Sequence, residues 1–298
     1  MIENMSQYIE KANTLIEALP YIREFSDKTV VIKYGGSFMN DQDIKYSVMD
    51  DIALMKLVGI RPIVVHGGGK DISSMLDQLD IESEFMDGLR VTSKETVSVA
   101  EMVLCGKINK EIVQLLQNRD INAVGISGKD GGMLRVKKKL SHGKDIGYVG
   151  EITRVKDAIL QDMLRNDYVP VIAPIGYDRN KQTYNINADH VAYAIAKKLK
   201  AEKLIYLTDT EGVYMDHDDP SSIIGRLGTH EVYDLISQGV ISGGMIPKVE
   251  NAVNAIESGV KSVHILDGRI EHSILLELFT AAGCGTMIKD NFPKYNKE

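Results

Sequence analysis

Thr29-Val-Val-Ile-Lys-Tyr-Gly-Gly-Ser37 decides how this chain is read. Its opening residues are apolar on both faces of an extended strand, which suits the interior of a parallel sheet. They run directly into Lys33, Gly35 and Gly36, a cation and two glycines at the end of the strand where such sheets bind ligands. Glycine lets backbone N–H groups approach an anion closely, and lysine adds a full charge on a movable stem. A strand ending in an ordinary glycine turn with a solvated lysine has the same composition. The pattern recurs, however, at Pro62-Ile-Val-Val-His-Gly-Gly-Gly-Lys70, with Pro62 at a tolerated strand-start position. Neither elbow has Walker A spacing. The dinucleotide fingerprint also fails, because Ile72 stands where its third glycine belongs.

The chain has 298 residues, 44% of them hydrophobic, enough for one large α/β domain or two closely joined lobes. A formal charge of −7 without a dense basic stripe argues against nucleic acid, and Lys137-Lys138-Lys139 reads as the exposed end of a strand or hairpin. Two cysteines, Cys105 and Cys284, indicate neither a disulfide framework nor a cysteine metal site, so a reducing cytoplasm is expected. No run is long and apolar enough to span a bilayer, and Glu3, Glu10 and Glu17 suit neither a secretory nor a transit peptide.

Ahead of the first strand, Ile2, Met5, Ile9, Ala12, Leu15, Ile16 and Leu19 recur at helical steps, which predicts an amphipathic helix kinked or ended at Pro20. Its stripe either packs on its own domain or meets another subunit. Strands and helices then alternate. Helices are expected over 44–58, from Asp71, over 95–117, near 156–166, over 188–199 and over 245–258, with one or two surface hairpins in 134–149. Strands are expected over 122–127, 168–173, 203–208, 263–266 and 286–288. The fold class is α/β: a three-layer sandwich around a mostly parallel open sheet, two lobes sharing that sheet, preceded by the kinked helix.

Gly88-Leu-Arg-Val-Thr92 offers Arg90, in a loop between helices, as a planar fork for a carboxylate or as half of a surface ion pair. Tyr184-Asn-Ile-Asn-Ala-Asp189 opens a helix with two amides and an acid, Asn187 suiting a cap. Thr208-Asp209-Thr210-Glu211-Gly212-Val213 is a polar turn beyond a strand's carboxyl end, where nucleotides commonly lie. Gly243-Gly-Met-Ile-Pro-Lys248 is a glycine entry into a helix with a lysine beside it.

The ordered set VIKYGG, HGGGK, GLRVT, NINAD, LTDTEGVY and GGMIPK resembles the amino acid kinase family over nearly the whole chain. The resemblance implies ATP-dependent phosphorylation of the side-chain carboxylate of N-acetyl-L-glutamate. It implies that Lys33 and Lys248 neutralise the transferring phosphoryl group, that Asp189 orients both lysines, and that Gly36 lies beside that group. By the same likeness Gly68, Gly69 and Asn185 contact the acyl amino acid, and Arg90 grips its α-carboxylate. Asp209, Thr210, Glu211, Gly212, Val213 and Tyr214, with Val240, Ile241 and Ser242, lie against the nucleotide. His66 is read as structural rather than as a base. The implied segments are 1–25 for an oligomerisation helix, 26–200 for the acyl amino acid lobe and 201–298 for the nucleotide lobe. An N-terminal extension resembles the arginine-inhibited members, implying a hexamer built as a trimer of dimers and an L-arginine pocket of Tyr21, Lys203, His264, Glu277 and Gly283.

The chemistry agrees with this reading. A carboxylate with a pKa near ~4.3 is ionised at neutral pH and attacks phosphorus without a general base. The reaction needs in-line placement and neutralisation of charge, for which Mg²⁺ is expected to be held mainly by nucleotide oxygens and water, no protein metal ligands being assigned. Relatives acting on glutamate, aspartate, carbamate or UMP are the alternatives. The chain's end soon after the last strand disfavours an appended regulatory domain of the aspartokinase kind. A non-catalytic amino-acid sensor would have lost Lys33, Asp189 or Lys248, and all three are present.

Overall fold

A computed structural model describes residues 2–216 and 218–290. Residue 1 of the first expected segment, and residues 217 and 291–298 of the third, lie outside them. The chain opens with α1 (Ile2–Phe25), which continues through Pro20 rather than ending there. Proline removes one backbone donor but fits helical φ, so a single missing bond to the preceding turn is tolerated. Then follow β1 (Thr29–Tyr34), α2 (Gln42–Leu57), β2 (Arg61–His66) and α3 (Gly69–Gln78). Asp41 starts α2 by accepting from the N–H groups of Asp43 and Ile44.

The Arg90 segment is not a loop between helices. It forms a tight antiparallel pair, β3 (Phe85–Met86) with β4 (Leu89–Arg90). The long helix expected over 95–117 is broken in phase: α4 (Lys94–Glu101) passes into a π-helical segment, Met102–Ile108, before α5 (Asn109–Gln117). After β5 (Ala123–Ser127), the stretch expected as one or two surface hairpins forms one, longer than expected, β6 (Leu134–Ser141) with β7 (Lys144–Val155). Beyond α6 (Ala158–Arg165) and β8 (Val169–Ala173), the short strands β9 (Ile175–Tyr177) and β10 (Thr183–Asn185) close it into a four-stranded barrel. The last part holds α7 (Ala188–Leu199), β11 (Lys203–Thr208), β12 (Arg226–Gly228), α8 (Thr229–Ser237), α9 (Met245–Glu257), β13 (Ser262–Asp267), α10 (Ser273–Phe279) and β14 (Thr286–Lys289).

Eight strands form the central sheet in the order β12-β14-β13-β11-β1-β2-β8-β5. All neighbours are parallel except β13 and β14. The strands from the first part of the chain occupy one half of the sheet and those after 200 the other, with β1 and β11 at the seam. Alternation along β1 sends Val30, Ile32 and Tyr34 into a core with Met49 and Ile52 of α2, Leu76 of α3 and Leu116 of α5. Val31 faces the opposite core, with Val191 and Ile195 of α7 and Val253 of α9. Both faces are therefore covered, which makes three layers, and each fully buried Ile or Leu contributes roughly 1.5–3 kcal/mol. Among the described residues, no helix is long and apolar enough to cross a membrane.

Candidate active site

Strand register brings the two glycine elbows together. Tyr34 is opposite His66 in the β1–β2 ladder, and the Gly67 N–H donates to the Tyr34 carbonyl at 2.7 Å, so both chains leave the sheet at the same level. The N–H groups of Gly35, Gly36, Gly68 and Gly69 have no acceptor among the described residues. Two of these glycines are sterically required. A Cβ at Gly36, where φ is 155°, falls 2.9 Å from Asp209 Oδ1 and against the Phe38 ring. A Cβ at Gly68 collides with Ile108 and comes within 2.9 Å of Leu104, both in the π-helical segment.

Lys33 leaves β1 at this level, and its ammonium is 3.1 Å from Asp189 Oδ1, with side chains 13% and 19% exposed. Asp189 stands in the first turn of α7, where Asn187 is the cap: its Oδ1 accepts from the N–H groups of Asp189 at 2.8 Å and His190 at 3.3 Å. Lys248, in the first turn of α9, makes no direct ion pair among the described residues. Burial lowers its pKa, and Asp189 pulls against that while Lys33 adds to it, so the three groups share one electrostatic field.

Arg90 is 6% exposed, which rules out the surface ion pair. Its guanidinium donates to Ser83 Oγ, to the Gly69 carbonyl at 2.8 Å and to Ser73 Oγ at 2.9 Å, and lies 4.5 Å from the centroid of the Phe85 ring. Burial lowers its pKa, opposed by Asp77. No carboxylate pairs with it among the described residues, so a buried cation faces the site with donors to spare. Lys33, Gly36, Gly68, Gly69, Arg90, Asn185 and Asp189 line one cavity of about 270 Å³, with Ile72, Leu104 and Val149 supplying apolar wall. The barrel contributes directly, since Asn185 of β10 pairs with Val149 of β7.

Asp209 follows β11. Its carboxylate accepts from the Ser37 N–H at 2.7 Å and the Ser37 hydroxyl at 2.7 Å, tying the first elbow to the other half of the sheet. Burial works against the charge, but the Ser37 bonds and the nearby Lys33 and Lys70 hold the carboxyl below its ordinary range. Thr208 Oγ1 bonds Thr210, and the Val213 N–H donates to Thr286 Oγ1 at 2.8 Å, which shapes the loop through Gly212. Tyr214 donates to Glu211 at 2.6 Å. Val240, Ile241 and Ser242 follow α8 and lead into α9, with Ile241 buried. Sequence reasoning passed over Ser37, Ser73 and Ser83, whose small hydroxyls carry no motif of their own.

A second cluster lies behind the site, at the amino ends of β11 and β13. Lys203 Nζ donates to His264 Nε2 at 3.2 Å, and His264 Nδ1 donates to Glu277 Oε1 at 2.6 Å. The other Glu277 oxygen accepts from the Cys284 N–H at 2.9 Å, beside Gly283. Glu277 is not a solvated helix residue, its side chain being 6% exposed. Burial opposes its charge, yet the His264 bond and the Lys203 charge hold it ionised, below the usual range. Phe25 of α1 places its ring 4.6 Å from Lys203 Nζ, and Tyr21 packs half-buried one turn earlier.

The amino acid kinase family profile matches residues 28–267, and the chain belongs to the amino acid kinase family. Within it, the chain is 52% identical over 292 residues to acetylglutamate kinase from Carboxydothermus hydrogenoformans, covering 95% of this chain and 99% of that one. Among solved structures, N-acetylglutamate synthase from Neisseria gonorrhoeae complexed with coenzyme A and N-acetyl-glutamate superposes with a TM-score of 0.83 at 26% identity, covering 95% of this chain. The complex of that synthase with coenzyme A and L-arginine gives a TM-score of 0.79 at 25% identity and covers 94% of this chain. This chain spans 64% of the first synthase chain and 65% of the second.

Proposed function

We infer that this protein transfers the γ-phosphoryl group of ATP to the side-chain carboxylate of N-acetyl-L-glutamate, giving an acyl phosphate for arginine biosynthesis. The observation that carries this is the one cavity shared by the Lys33–Asp189 pair, the elbow glycines and the buried Arg90. The identity to an acetylglutamate kinase supports it across the chain. Arg90 holds the α-carboxylate through a charge-assisted fork and carries most of the binding, while Gly68, Gly69 and Asn185 fix the rest of the acyl amino acid, Gly68 at the carboxylate that reacts. The ionised side-chain carboxylate then attacks phosphorus without a base. Lys33 and Lys248 neutralise the equatorial oxygens as charge spreads onto them, Gly36 leaves room for the phosphoryl group, and Asp189 keeps both ammonium groups in place. Asp209 to Tyr214 and Val240 to Ser242 cradle the nucleotide. Mg²⁺ bound with ATP would supply further positive charge to the phosphates. We assign it to nucleotide oxygens and water, the hard oxygen ligands that Mg²⁺ prefers.

On this reading residues 26–200 form the acyl amino acid lobe, residues 201–298 the nucleotide lobe, and the enzyme works in the cytoplasm. We further propose that L-arginine inhibits it from the cluster of Tyr21, Lys203, His264, Glu277 and Gly283. Glu277 supplies a buried carboxylate suited to a guanidinium, and α1 joins dimers into a hexamer. A hydroxamate assay with ATP and Mg²⁺ tests the reaction. N-acetyl-L-glutamate is expected to be turned over well ahead of glutamate, aspartate and carbamate, and equal turnover of an unacylated amino acid would sink the substrate assignment.

A further inference from the structure

His66 stands one residue ahead of the second elbow, is fully buried, and has no part in the chemistry above. Its Nδ1 lies 2.9 Å from the Gly67 carbonyl oxygen, and its Nε2 lies 3.2 Å from Asn109 Nδ2. A carbonyl oxygen only accepts, so the network assigns the proton to Nδ1 and leaves Nε2 to accept from the amide. Asn109 cannot turn over without loss: the same Nδ2 donates to the Val171 carbonyl at 2.9 Å, and its Oδ1 accepts from Lys110 Nζ at 3.1 Å. Lys110 is held in turn by the Gly125 carbonyl at 3.0 Å. Burial lowers the His66 pKa to about 4, against the pull of the Gly67 carbonyl and with help from Lys110, so the ring is neutral at pH 7.

The consequence follows from peptide geometry. In a planar trans peptide the carbonyl and the next N–H point in opposite directions, and no peptide bond among the described residues is cis. With the Gly67 oxygen drawn back to His66, the Gly68 N–H is turned forward, and Gly68 lines the cavity. Asn109 is the first residue after the π-helical segment, whose Leu104 and Ile108 close against Gly68. Each π turn takes one more residue than an α turn, so this segment sets the phase at which Asn109 meets His66.

We propose that His66 and Asn109 are positioning residues that hold the Gly67–Gly68 peptide with the Gly68 N–H aimed at an anionic oxygen in the cavity, and that the π-helical segment brings Asn109 to that task. The proposal rests on the cavity being the phosphoryl-transfer site. An Asn at position 66 keeps a donor near the Nδ1 position and a Leu does not. In the hydroxamate assay His66→Leu therefore lowers kcat by about 10²-fold, the scale of a misplaced group, with KM for N-acetyl-L-glutamate changed less than threefold. His66→Asn stays within about fivefold of the wild type, as the rescue requires. A folded His66→Leu protein with wild-type kcat, an equal loss in both variants, or a loss confined to KM overturns the proposal. If His66→Leu does not fold, Asn109→Leu carries the test, with a selective loss of kcat expected and an unchanged kcat overturning it. The Gly68 amide resonance in ¹⁵N-labelled, ligand-free protein separates this proposal from the functional reading. A wild type inactive on N-acetyl-L-glutamate defeats the functional reading, whereas a Gly68 resonance unmoved in both His66→Leu and Asn109→Leu defeats the couple.

Discussion

At the scale of single residues, buried groups with unused bonding capacity carry the argument. Arg90 spends donors on two hydroxyls and a carbonyl and pairs with no carboxylate among the described residues, so its positive charge is left for a ligand. Lysine would keep the charge but lose the fork. Arg90→Lys is therefore expected to raise the KM for N-acetyl-L-glutamate by roughly 10–100-fold, the worth of one charge-assisted bond, while kcat changes little. Lys248→Ala should show the converse, a kcat lowered by roughly 10²–10³-fold, and steady-state kinetics of the two variants side by side check the split. His66 adds a pH dependence to stability. Its folded pKa is about 4 and its unfolded value is 6.5, so between these the unfolded chain binds more protons. The stability it contributes is fully present above pH 6.5 and is lost as pH falls toward 4. Urea unfolding at pH 7 and pH 5 should show this loss in the wild type and a smaller one in His66→Asn, where nothing titrates at that position. Equal losses would show that other groups govern acid sensitivity.

At the scale of elements, the register of β1 against β2 does most to build the site, because it sets two glycine elbows side by side. The second elbow is also the point where a helix defect touches the cavity. Gly68→Ala forces a methyl group onto Leu104 and Ile108, which overpacking data place at about 1–3 kcal/mol of destabilisation. The thermal midpoint should fall and kcat with it, and an alanine variant with unaltered melting would mean that the π-helical segment yields. Much of this level was legible beforehand. Ala188–Leu199 and Lys203–Thr208 have the bounds expected of them, because an Asn cap and a run of apolar residues mark their edges. Part of the cavity wall was legible too: Lys33, Gly36, Gly68, Gly69, Arg90, Asn185 and Asp189 stand out in the sequence because the glycine elbow recurs and the motifs come in order, whereas Lys248 is not among the lining residues. The π-helical segment was not, because apolar spacing over 95–117 is satisfied by a helix whether or not one turn is widened. The pairing of Phe85–Met86 with Leu89–Arg90, and the short strands β9, β10 and β12, escaped for another reason: two or three residues carry no periodicity. Asn109 and His66 were visible as residues, but their contact joins positions 43 apart and exists only through tertiary structure.

At the scale of the whole molecule, α1 remains the element that one subunit does not explain. Phe25 is buried against Lys203, while Met5, Tyr8, Ile9, Leu15, Ile16 and Leu19 are all exposed. An apolar surface of this extent marks an interaction site, and here the same helix ends at the Lys203–His264–Glu277 cluster. If α1 meets a neighbouring subunit, as the proposed hexamer requires, a rigid helix anchored at one end on the cluster and at the other on that subunit would couple occupancy of the cluster to the assembly. If arginine binds at the cluster and favours an arrangement with a wider active-site cleft, it raises the apparent KM for N-acetyl-L-glutamate by a coupling of roughly 1–3 kcal/mol, or about 5–150-fold. Deleting residues 1–19 separates the two ends of the lever, because Phe25 stays in place beside Lys203 and Tyr21 stays against the core. Light scattering should then report a smaller oligomer, and the hydroxamate assay should report turnover near that of the full chain. Arginine should still bind by calorimetry but no longer raise the KM. Loss of arginine binding itself would mean that the helix builds the pocket rather than transmitting from it, and a truncated protein that remains hexameric and arginine-sensitive would remove α1 from both roles.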